Sequence, residues 1–156
     1  FYIIIKQEVN MKVEQFAAVI PLLPFDTQTM IIRKQPDLHG IGVCDKIKTY
    51  ADEHHKECVI IDMAYQDELF LHELRELINY RQGRELVCVF DFTSGCGSQL
   101  KEHLMQLLIH RRHNGFEIPW TVKVVIYDNI AEETEFTTDK FDMCMLDKCL
   151  CYKLEE

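Results

Sequence analysis

Cys58-Val59-Ile60-Ile61-Asp62, Val87-Cys88-Val89-Phe90-Asp91 and Val122-Lys123-Val124-Val125-Ile126-Tyr127-Asp128 decide the fold class of this chain. Each is a short, β-branched, nearly continuous apolar run that closes on an aspartate. Runs of this kind suit strands buried on both faces, the condition of a parallel sheet covered by helices. Amphipathic segments separate them. Ile41, Cys44, Ile47 and Ala51 recur at helical spacing and predict a helix over about 37–56. Phe70, Leu71, Leu74, Leu77 and Ile78 form one stripe and predict a second over about 67–82, with Gly83 as its stop. Leu100, Leu104, Leu107 and Leu108 predict a third over about 99–113, stopped by Asn114-Gly115.

Outward from this centre the signals weaken. Phe1-Tyr2-Ile3-Ile4-Ile5 reads as a strand, residues 29–33 as a second strand or an edge segment, and Cys149-Leu150-Cys151-Tyr152 as a last strand. Pro21, Pro24 and Pro36 interrupt the stretch between the first two. The alternation predicts one α/β domain over 1–156, a three-layer Rossmann-like or flavodoxin-like unit with a mainly parallel sheet. The abrupt opening strand, without initiator methionine or signal peptide, reads as a domain excised from a longer chain. In such a sheet the carboxyl ends of the strands share one edge, where ligands bind.

At 156 residues the chain has the length of one domain. Hydrophobic residues make up 47% and charged residues 28%, ordinary for a globular protein, and the apolar runs are too short to span a bilayer. A net charge of −9 disfavours broad capture of nucleic acid or an anionic membrane. Residues 131–156 hold eight acidic residues against three lysines, over half of that charge. His110-Arg111-Arg112-His113 is the best candidate for a local basic patch, read as cations favoured at a helix C-terminus, with phosphate binding as the alternative. Seven cysteines, an odd count with Cys58 and Cys88 inside predicted strands, point to a reducing compartment, hence an intracellular, cytoplasmic or nuclear protein.

The sharpest local signal is Asp91-Phe92-Thr93-Ser94-Gly95-Cys96-Gly97-Ser98, an acid at a strand end, a Gly-x-Gly turn and then a helix. Glycines let a backbone approach a ligand, and a helix N-terminus offers free amides. The plain structural reading is a strand–helix turn capped by Ser98. The segment resembles the first motif of S-adenosylmethionine-dependent methyltransferases, with Asp91, Gly95 and Gly97 at the matching positions. That resemblance implies a cofactor methionine end facing Gly95 to Gly97, and Asp128 at the ribose. Asp62-Met63-Ala64-Tyr65 is faintly similar to the Asp-Pro-Pro-Tyr motif of amino-methylating members, without its prolines. The stretch from the 87–91 strand to Asp128 also resembles lipid-binding domains of the Sec14 kind.

Asp62, Asp91 and Asp128 on one sheet edge form an alternative Mg²⁺ site for phosphoryl hydrolysis or nuclease chemistry. Aspartates at strand ends also serve simply as turn and cap residues. Cys144, Cys149 and Cys151 have poor spacing for zinc. Cys96 is the one thiol at a helix N-terminus, where a depressed pKa is the alternative and a buried or inert thiol the favoured reading. No complete catalytic set is legible. The favoured expectation is a non-catalytic α/β interaction domain of a larger protein or complex, with no cofactor. Its expected protein-contact surfaces are the acidic loop over 132–142 and the apolar edge over 1–5.

Overall fold

Alternation along each apolar run sends successive side chains to opposite faces, so a strand that is apolar throughout needs cover on both. The computed structural model, which describes residues 9–19, 29–38, 42–81, 83–130 and 149–155, supplies that cover. In chain order the elements are β1 (Val9–Lys12), α1 (Val13–Val19), β2 (Thr29–Lys34), α2 (Val43–Glu53), β3 (Glu57–Asp62), α3 (Phe70–Tyr80), β4 (Leu86–Asp91) and α4 (Ser98–His110). A two-residue hairpin, β5 (Arg112–His113) and β6 (Phe116–Glu117), precedes β7 (Val122–Asn129) and β8 (Cys149–Glu155). Among the described residues six strands form one sheet in the order β1-β8-β2-β7-β4-β3, and every pairing in it is parallel. The expected single α/β unit with a parallel sheet is therefore present.

Ile31, Cys88, Phe90, Val124 and Ile126 pack on one face with Leu74 and Ile78 of α3 and Leu104 and Leu108 of α4. Met30, Ile32, Val87, Val89 and Val125 pack on the other with Phe16 of α1 and Ile47 and Ala51 of α2. Direction of travel explains the division. From β2 the chain crosses to the far edge at β3, and α2 covers one face. It then steps back through β4 to β7, and α3 and α4 cover the other. Crossovers of one hand must change face when they change direction.

Several expectations are corrected. β2 is not an edge segment: it lies between β8 and β7, with Met30, Ile31 and Ile32 at most 1% exposed. Its apolar run is short and ends in Arg33-Lys34, which disguised it. α2 begins at Val43 rather than near Asp37, after Gly42 in the left-handed region (φ 64°). Asp62 caps a short 3-10 turn (Met63–Tyr65), and α3 starts only at Phe70. α4 ends at His110, because Arg111 takes a left-handed conformation (φ 61°), and Asn114-Gly115 turns the hairpin instead of merely stopping a helix. The 1–5 strand and the 132–142 loop lie outside the described residues. Among those residues, no helix is long and apolar enough to cross a membrane.

Candidate functional site

β7 lies between β2 and β4, whose following helices depart to opposite faces of the sheet. Their loops diverge and leave a crevice over the carboxyl end of β7, the topological switch point at which α/β sheets take ligands. The crevice measures about 350 Å³. Lys34, Pro36, Leu38, Gly42 and Cys44 form one wall, Thr93 and Ser94 the other, and Tyr127 rises from β7.

The sequence-selected residues meet this crevice unequally. Asp91 Oδ1 accepts from Thr93 N at 2.9 Å and from Thr93 Oγ1 at 2.6 Å, which fixes the wall that Thr93 lines. Asp91 is in register with Tyr127 and with Asp62 on its two neighbouring strands. Asp62 is exposed, and its Oδ1 accepts from Ala64 N at 3.0 Å. Asp128 is one residue past Tyr127 and so projects to the opposite face. There Lys101 of α4 donates to its Oδ2 at 2.6 Å. Asp91 and Asp128 therefore do not converge, and the methyltransferase arrangement finds its second acid already ion-paired. Among the described residues no group of three or more His, Cys, Asp or Glu side chains is placed to hold a metal ion. Cys144 lies outside those residues, whereas Cys149 and Cys151 are buried core side chains on the face of the sheet that α3 and α4 cover.

Gly95 and Gly97 shape the turn. Gly95 N donates to Phe92 O at 3.0 Å with φ at 103°, a conformation that L side chains rarely adopt. Gly97, not Ser98, is the N-cap of α4, with φ at −58° and no side-chain cap.

Sequence reading missed the other half of the site. Asn129 lies two residues beyond Tyr127, on the same side of β7. Its Nδ2 donates to Thr93 O at 2.9 Å, while its buried Oδ1 has no hydrogen-bond partner among the described residues. A buried acceptor without a partner is costly. Burial, then the Asp91 carboxylate, push the Cys44 thiol up to about 12. Burial, then Cys44 and Asp91, also raise the Tyr127 phenol. Both stay protonated near neutrality. Cys96 goes against the alternative of a depressed thiol: burial raises its pKa despite the opposing influence of Lys101.

The loop joining β2 to α2 occupies the strand-to-helix position at which a Gly-x4-Gly-Lys-Ser/Thr loop cradles phosphate. Here Asp37 stands at the first glycine, Gly42 at the second, and Val43-Cys44 replace the lysine and hydroxyl. Gly42 after a strand and before a helix was the available signal. No protein-family model matches the chain, and no curated protein matches it in sequence.

Proposed function

We propose that this chain is a non-catalytic α/β domain that acts by binding, within a larger protein or complex, and that its crevice receives the phosphate-bearing end of a small ligand of the nucleotide class. The position of the crevice carries this reading: it lies at the switch point, beside Lys34 and the first turn of α2. The groups around it support a reading without turnover. Cys44 and Tyr127 are held protonated, Thr93 engages Asp91, and Val43-Cys44 offer neither the cation nor the hydroxyl that a phosphoryl-transfer loop uses. A protein partner has a surface in edge strand β3, where Ile60 is 40% exposed and leads to the exposed Tyr65 and Leu69.

Thermal melts with ADP, ATP and S-adenosylhomocysteine, each with and without Mg²⁺, test the proposal. A nucleotide at a hundred times its dissociation constant raises stability by about 2.7 kcal/mol. Thr93→Val and Lys34→Met are expected to reduce that gain. A shift with S-adenosylhomocysteine alone would transfer the site to the methyltransferase-like reading on Asp91, Gly95 and Gly97. No shift with any of the three would remove the crevice as a ligand site.

A further inference from the structure

The opposite edge of the sheet, where β4 and β7 begin, presents an aromatic ring among cations. Trp120, the chain's single tryptophan, is 71% exposed. Its loop is nevertheless pinned. Arg111 Nη2 donates to Pro119 O at 2.8 Å and to Val122 O at 2.7 Å, and Lys123 Nζ donates to Trp120 O at 3.3 Å. Leu86 is in register with Val122, and Leu86 N donates to Thr121 O at 3.0 Å. The exposed Arg84 precedes that strand by two residues, at the same edge of the sheet as the loop of Trp120. The hairpin holds the exposed Arg112 next to the same loop, since Ile118 N donates to Arg111 O at 2.7 Å. On the hairpin's inner side, the Arg75 guanidinium lies 5.4 Å from the centre of the Phe116 ring and docks the hairpin on α3.

A large ring displayed to water on a fixed loop exposes apolar surface that folding would otherwise bury. The cations beside it define what would cover it. Arg111 is spent on backbone carbonyls, so Arg84 and Arg112 are the guanidiniums turned outward. Glu117 faces Arg112 across the hairpin, and Glu85 pairs with Lys56 at 3.8 Å. The cationic surface is consequently narrow in a chain of net charge −9. A duplex, with its dense double row of phosphates, is repelled by such a molecule, whereas one flexible strand can thread a narrow patch. We propose that this edge binds single-stranded nucleic acid, with one base stacked on Trp120 and flanking phosphates paired to Arg84 and Arg112.

Because no other tryptophan emits, Trp120 reports its own occupancy. Titration of the chain with single-stranded oligothymidylate at low salt should quench its emission saturably. Two phosphate contacts give a log–log salt slope of about −1.4. Arg84→Ala with Arg112→Ala should flatten that slope and weaken binding. Trp120→Ala, followed by anisotropy of a labelled oligonucleotide, should weaken it about tenfold or more. Circular dichroism checks that these surface variants keep the fold. The proposal is overturned by absence of saturable quenching at low salt, or by unchanged affinity in the double arginine variant. Tighter binding of a duplex of equal length would also overturn it. So would equal binding of polyglutamate, which would assign the edge to an acidic protein segment.

Discussion

Gly95 and Gly97 border one turn but are required there for different reasons. Gly95 sits at φ 103°, so a side chain strains the backbone although nothing crowds its Cβ position. Gly95→Val is expected to cost about 1–2 kcal/mol in a urea melt. Loss of ligand binding in that variant would then be indistinguishable from loss of the turn. Gly97 has an ordinary φ of −58° and open space, and it is the N-cap of α4. Gly97→Ser supplies the missing cap oxygen and is expected to leave stability unchanged or raise it by about 0.5 kcal/mol. It therefore tests whether a ligand needs bare backbone at this turn without disturbing the fold. Asp128 allows a parallel test. Lys101→Met leaves that carboxylate, only 15% exposed, without its cation, and should lower stability by about 1 kcal/mol. A melt indistinguishable from wild type would make the pair a surface contact.

Among the elements, the β5–β6 hairpin depends on a residue whose charge is not used at the surface. Arg111 adopts φ 61°, ends α4 and turns its guanidinium onto the carbonyls of Pro119 and Val122. Arg111→Ala should cost about 2 kcal/mol, because two carbonyls lose a charged donor, and Trp120 emission should shift as its loop loosens. A stable variant with unaltered emission would show the loop to be held by other contacts. In sequence this element was hidden inside a helix. His110 to His113 continued a helical pattern, and Asn114-Gly115 serves equally as helix stop or hairpin turn. Positive φ at both Asn114 and Gly115 identifies the tight two-residue turn. By contrast, the bodies of α3 and β4 are legible in sequence, since Leu74 and Ile78 repeat at helical spacing and Val87 to Phe90 are unbroken, although α3 starts later than expected. β2 was obscured because a central strand of six residues with two basic residues at its end resembles an exposed one.

For the whole molecule, the parallel sheet was readable because burial on both faces leaves its imprint on the central strands β4 and β7. The crevice was not, because it arises where β2 and β4 become neighbours of β7, and strand order is absent from local pattern. Asp91 could be selected as a strand-end acid, but its proximity to Cys44 required α2 to fold back over the sheet. That arrangement has a thermodynamic signature. Burial raises Cys44 and Cys88 from an ordinary 9.0 to about 12, and raises Tyr127 above its ordinary 10.0. Each group is neutral when protonated, and its pKa is higher in the folded state than in the unfolded chain. Below about pH 8 both states hold these protons, so their contribution to stability is constant. Above the unfolded values the unfolded chain loses protons that the folded protein retains, so stability falls with rising pH. Melting temperature should therefore decline from about pH 9 towards pH 12, and Tyr127→Phe should make the decline shallower by removing one of the three groups. A melting temperature level to about pH 11 would mean that these groups ionise alike in both states, and that Cys44 of α2 is not packed closely against Asp91 and Tyr127.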